Sequence, residues 1–145
     1  MVGLKKYYTI WHALCIGVVR PHVADHDLIT RDFMITAIVR YNLSASIPKA
    51  ACIAHFHKIA PGFRDAKGLL RKQFIWNETG VAGGVYLWES IADAKAFYQG
   101  PWLDGILERY GMYPDIEYFE TFAITEVTTG EVDYIEPIPA KTEVA

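Results

Sequence analysis

Lys72, Phe74 and Trp76 recur at every second position of "GLLRKQFIWNE", and Tyr86 and Trp88 do the same in "AGGVYLWE" shortly after. A period of two puts such residues on one face of a strand. One lysine among four rings has a definable chemistry. The rings make a dry wall for a flat ligand, and a cation or base within it favours an anion formed from that ligand. His55, in "AHFHK", adds a group that titrates near neutrality. His55 and His57 are spaced by two on a helix and point nearly opposite ways, so one at most joins the set, and His55 is the candidate base. Trp102 and Tyr110 flank a stretch interrupted by Gly100, Pro101, Gly105 and Gly111, placing them at a pocket mouth or at the capped end of a core. Arg40 is a candidate for a carboxylate or phenolate. Each assignment has a plainer competitor: a solvated or salt-bridged strand lysine or arginine, rings packed in a dimer interface, and histidines without a role.

Other chemistries are disfavoured. "HFH" on a helix cannot chelate, and no CxxC pair occurs, so no zinc site is expected. There is no G-x-S-x-G, and "GVAGGV" lacks the strand-then-helix setting of a dinucleotide loop. A histidine could hold haem, but no feature selects it. The 145 residues are 52% hydrophobic, enough for one domain with a real core. A net charge of -3 spread along the chain leaves no basic stripe for nucleic acid. Nine Tyr and four Trp suit an aromatic pocket or a large interface. Cys15 and Cys52 make no disulfide framework and read as free thiols of a cytoplasmic protein.

The elements that must position these residues begin at Phe33. "FMITAIVRYN" is rich in β-branched residues and predicts a strand. Ser46 as N-cap and Pro48 in the first turn predict a helix to about Ala60, ended by "APGF". Its apolar stripes run through Ile47, Ala51 and Ala54 and through Ile53, Phe56 and Ala60. Residues 68–78 and 82–89 predict a hairpin. Ser90 with Asp93 is a capping-box-like start for "SIADAKAFYQ", and "WLDGILERYG" adds further helical turns. Residues 115–127 predict one continuous fourth strand. The order β-α-β-β-α-β folds, with right-handed crossovers, into a ferredoxin-like four-stranded antiparallel sheet with both helices on one face. The other sheet face is then bare, apolar and aromatic, and a second copy packed on it makes a two-chain α+β barrel. With "ETGVA" as the hairpin loop, Lys72, Phe74 and Trp76 stand beside Gly84, Tyr86 and Trp88, and the bare Gly84 leaves room over the Trp76 ring.

"GLLRK" and "AGGVYLWES" together resemble the YdhR-like mono-oxygenases of the dimeric α+β-barrel superfamily, which includes antibiotic-biosynthesis mono-oxygenases and haem-degrading enzymes. The likeness spans about Met34 to Glu126. It implies a homodimer with a pocket between sheet and helices, and oxygenation of an electron-rich aromatic without flavin, haem or metal.

Three regions follow: an N-terminal extension (1–33), a ferredoxin-like domain (34–127) and an extended tail (128–145) with Pro137 and Pro139. Within the extension, Tyr7 to Val19 is a 13-residue apolar run after Lys5 and Lys6, with the outline of a signal peptide but no small-x-small cleavage site after it. It is too short to span a membrane. The other readings are a loosely attached segment or a translation start at Met34, where the first strand begins. The leading functional expectation is a cofactor-independent mono-oxygenase of a phenol- or quinol-like compound, with Lys72 and His55 catalytic and Phe74, Trp76, Tyr86, Trp88, Trp102 and Arg40 holding substrate. The alternatives are a non-catalytic ligand-binding homodimer and an isomerase or lyase.

Overall fold

The computed structural model describes residues 33–136. The expectations for residues 1–32, including Cys15 and the apolar run, and for the prolines at 137 and 139 lie outside them. The sheet is built around β1 (Ile35–Asn42), whose alternating sequence buries Ile35, Ala37, Val39 and Tyr41 and leaves the residues between them partly exposed. β1 pairs antiparallel with β3 (Val81–Trp88) on one side and with β4 (Asp115–Glu120) on the other. β2 (Leu69–Trp76) pairs outside β3, so the order is β2-β3-β1-β4. Helices α1 (Lys49–Ile59), α2 (Ile91–Phe97) and α3 (Pro101–Tyr110) complete an α+β, ferredoxin-like fold.

Sequence chemistry accounts for the joints. Asn77 Oδ1 accepts from the backbone N–H of Thr79 (3.1 Å) and Val81 (2.9 Å), folding Asn77–Gly80 into the β2–β3 turn, where Gly80 takes a positive φ of 83°. Ser90 caps α2: its hydroxyl accepts from the Asp93 N–H and donates to the Asp93 carboxylate. Gly68, at φ 73°, lies under that carboxylate, and a Cβ there would come within 2.6 Å of the Asp93 side chain. The start of β2 and the start of α2 are therefore locked together. α3 begins on Gly100-Pro101 and ends on Gly111 at φ 69°, as the breaker residues require.

Several expectations are corrected. α1 starts at Lys49 with Pro48 at the cap position, its carbonyl accepting from Ala51 and Cys52. Ser46 instead hydrogen-bonds Ser44. Of the expected α1 stripes Phe56 is buried, joined by Cys52, while Ala51, Ile53 and Ala54 are exposed. The helix runs on as a 3-10 turn, Ala60–Asp65. A register shift between Leu69 and Arg71 pushes Leu70 out of the ladder, and Leu69 stands opposite Trp88, where the expected loop puts Lys72. The fourth strand is broken at Thr121-Phe122: β4 ends at Glu120, and β5 (Ala123–Glu126) forms a hairpin with β6 (Glu131–Tyr134) inside the expected tail.

The face of the sheet away from the helices is mixed rather than aromatic. It carries Ile38, Val85, Leu87 and Ile75 with Arg71, Gln73, Arg40 and Glu117, and Phe119 is its one ring. The β5–β6 hairpin folds over one end of it, tied by the Thr36–Thr121 hydroxyl bond (2.8 Å) and the Arg71–Glu126 ion pair (2.5 Å).

On the helix side the core is aromatic. Trp88 is fully buried, its ring stacks beside Tyr86 at 6.0 Å, and its indole N–H donates to the Tyr98 hydroxyl at 3.0 Å. Trp88→Ala removes this ring and unpairs a buried hydroxyl, so unfolding stability should fall by about 3–5 kcal/mol in urea titrations. Trp88→Phe should recover most of the volume but not the hydrogen bond.

A lysine in an aromatic cleft

The hairpin register decides which side chains meet. Trp76 pairs with Ala82, Phe74 with Gly84 and Lys72 with Tyr86. The loop is two residues shorter than "ETGVA" implies, so the ladder slides by an even number and every side chain keeps its face. Gly84 therefore faces Phe74, not Trp76, and the room it leaves is filled. A Cβ at Gly84 would stand 2.8 Å from the Tyr86 ring and 3.3 Å from the Lys72 Cε. At Gly83 it would overlap the Val39 carbonyl. The double glycine brings the strands close and makes way for a ring and a lysine stem.

Between sheet and helices lies a cleft of about 250 Å³ lined by Tyr41, His55, Ile59, Phe63, Lys72, Phe74, Gly83, Tyr86, Trp102, Gly105, Ile106, Arg109 and Tyr110. Pockets for drug-sized ligands measure roughly 300–1,000 Å³, so this smaller cleft suits a molecule of one or two rings. The Lys72 Nζ lies 3.1 Å from the Phe63 ring centroid, 3.9 Å from Phe74 and 4.5 Å from Tyr86. No carboxylate lines the cleft, and among the described residues no hydrogen bond or ion pair reaches this amine. Ring faces attract a cation by about 0.5–2 kcal/mol, yet they accept none of the hydrogen bonds that an ammonium needs for its three N–H groups. Burial wins, and the Lys72 amine is pushed down to about 6. His55 is lowered too, first by burial and then by the charges of Arg109, Lys58 and Lys72. Tyr41 and Tyr86 are raised, chiefly by burial, and stay as phenols. The cleft thus presents neutral groups to a ligand, with the exposed Arg109 at its rim.

Lys72, His55, Phe74, Tyr86 and Trp102 come together here. His57 is exposed on the other side of α1. Trp88 lies behind Tyr86 and outside the lining, Trp76 sits at the hairpin end under the Lys49 amine (4.6 Å), and Arg40 is on the opposite sheet face, paired with Glu117 and Asp115. Phe63 went unmarked in the sequence because it belongs to an aperiodic 3-10 turn. Tyr41 was legible by strand parity with Ala37 and Val39. Arg109 was legible as the next position of the helical stripe Trp102, Ile106. A wider depression of about 420 Å³ along the β2 edge, lined by Arg64, Leu70 and Arg71, shares Phe63, Lys72 and Phe74 with the cleft but is lined by no His or Tyr. Among the described residues no group of three or more His, Cys, Asp or Glu could hold a metal ion, and no helix is long and apolar enough to cross a membrane.

The chain is similar in fold to several solved structures. A protein of unknown function from Nitrosomonas europaea matches with a TM-score of 0.54 at 16% identity, over 63% of this chain and 92% of its own. A candidate antibiotic biosynthesis monooxygenase from Bordetella bronchiseptica matches with a TM-score of 0.51 at 18% identity, over 61% and 97%. No family model matches the chain, and neither does any curated protein. The likeness establishes the ferredoxin-like fold.

The Lys72 environment makes a thermodynamic prediction. Its folded value lies below the ordinary lysine value of about 10.4, so between about pH 6 and 10 the unfolded chain binds the extra proton and this residue's contribution to stability rises with pH. Lys72→Met should therefore stabilise the protein most at pH 6 and below, with the advantage shrinking toward pH 10. Urea midpoints at pH 5.5, 7 and 9 measure it; a difference that does not vary with pH contradicts the burial.

Proposed function

We propose that the protein is a cofactor-independent mono-oxygenase, of the YdhR-like kind, acting on a small phenol- or quinol-like aromatic. The observation that carries this reading is the desolvated Lys72 amine, without a carboxylate partner among the described residues and walled by Phe63, Phe74 and Tyr86. A neutral amine there takes the proton of a bound hydroxyl or activated methylene. The products are an ammonium and a delocalised anion, each the partner the other lacks in a dry site, with Arg109 at the rim and His55 beside them. The anion donates an electron to oxygen. For a methylene oxidised to a ketone, one oxygen atom enters the carbon and the other leaves as water with the two hydrogens, so the substrate supplies all four electrons. The fold shared with the Bordetella protein supports the reading.

Oxygen uptake with anthrones, hydroquinones and naphthols tests it. Lys72→Met should lower the rate by roughly 10²–10⁴-fold, the contribution of a positioned base, and His55→Ala should lower it less. Because the working form is the neutral amine, kcat/KM should be flat above pH 7 and fall as pH drops through about 6. Turnover that persists without oxygen points instead to an isomerase or lyase, and ligand binding without turnover to a binding protein.

A homodimer through the open sheet faces belongs to the same proposal. Phe119, Phe122 (62% exposed), Val132 and Tyr134 (78% exposed) form an apolar rim around the β5–β6 hairpin, against which the Phe33 ring packs edge-on at Phe122 (5.7 Å). Sedimentation at micromolar concentration should give twice the 16.4 kDa of one chain; a monomer rules it out. Cys52 is a free, buried thiol raised by burial, which suits a cytoplasmic protein.

A further inference from the structure

We infer that Lys72 is also a nucleophile that captures small aromatic aldehydes or ketones as a protein-bound imine. The inference shares with the proposed function the reading of this cleft as a ligand site, but not its oxygen chemistry.

Four features of the geometry carry it. Lys72 is half-buried and lines a cleft of about 250 Å³ between sheet and helices as well as the depression along the β2 edge. Three ring faces hold its Nζ there, leaving the lone pair without a hydrogen-bond donor among the described residues. Gly84, lacking a Cβ, leaves the space that the lysine stem uses to reach this position, and Tyr86 fixes the stem from one side. The walls are flat and apolar, so the carbonyl compound they accept is aromatic. An amine desolvated in an apolar pocket is uncharged at neutral pH, the state in which lysine attacks carbonyl carbon.

The step balances without any further reagent. The nitrogen lone pair forms a C–N bond to the carbonyl carbon, and the π electrons move to oxygen. A proton passes from nitrogen to that oxygen, giving a carbinolamine. The oxygen takes a second proton and leaves as water, the nitrogen loses its remaining proton, and a C=N bond stands in place of C=O. His55, neutral and on the same cleft wall, is the group available to carry these protons. The ring of the captured compound would lie against Phe74 and Tyr86, and the exposed Arg109 at the rim favours a compound bearing a hydroxyl or carboxylate on its far side.

The experiment is anaerobic reductive trapping on the full chain. The protein is incubated at pH 7 with 2-naphthaldehyde and cyanoborohydride, and each lysine is followed by peptide mass mapping. Apart from the chain's α-amino group, Lys72 should be labelled on the order of tenfold or more faster than any other lysine, because an ordinary lysine near 10.4 is almost wholly protonated at this pH. The fast label should vanish in Lys72→Met while the remaining lysines keep their slow rates. Labelling spread evenly over the lysines overturns the inference, and this readout on the wild-type chain does not depend on any variant folding. Oxygen uptake by the same preparation separates the two ideas. Uptake with naphthols together with even labelling removes the imine and keeps the oxygenase. Selective labelling of Lys72 without uptake keeps the imine and removes the oxygenase.

Discussion

The antiparallel pairing of β1, β3 and β2 is the constraint on which the cleft depends. Side chains on paired strands alternate strictly, so the register that sets Ala37 opposite Tyr86 and Tyr86 opposite Lys72 also sends all of them toward the helices. A slip by one residue on β2 would turn Lys72 and Phe74 outward and bring Arg71 and Gln73 into the core. The bulge at Leu70 absorbs one residue before that point, and the Asn77–Gly80 turn closes the other end. Between these two stops, the period of two has no freedom left.

That register creates a tension which the rest of the site expresses. A lysine is directed into an aromatic interior, and among the described residues no carboxylate answers its charge. Ring faces are a partial substitute because they attract a cation but accept no hydrogen bonds as water does. The amine responds by giving up its proton. A core Leu or Met would avoid the cost, so the retained lysine marks the place where this fold departs from the best-packed solution. Departures of this kind are where chemistry is to be looked for.

The two sheet faces divide the labour. The helix side holds most of the described rings, interlocked from Phe56 through Phe74, Phe63, Tyr86 and Trp88 to Tyr98 and Trp102. The far side mixes aliphatic residues with charges and is partly roofed by the chain's own β5–β6 hairpin. An aromatic cluster behind the cleft gives Tyr86 and Phe74 rigid backing, since Trp88 holds Tyr86 in place without touching the cleft itself.

Much of this was legible in the sequence because its cause is local. The order of elements, the Ser90 cap and the shared face of Lys72, Phe74, Tyr86 and Trp88 follow from hydrophobic period, hydrogen-bonding side chains and strand parity, none of which needs distant residues. Even an error of two in the loop left the face intact. What failed was long-range or aperiodic. Ser46 looked like a cap, yet Ser44 took its hydroxyl. Residues 115–127 alternate as one strand, but the sheet ends at Glu120 and the chain turns away at Phe122 to cover the open face. Phe63 gave no signal, because a 3-10 turn has no face until something packs on it. By itself the sequence determined the fold and the residues that share a side of the sheet, since both are set by short-range geometry. Only the tertiary structure decided that this side meets the helices, and that no described carboxylate reaches Lys72, because burial and pairing are properties of the assembled interior.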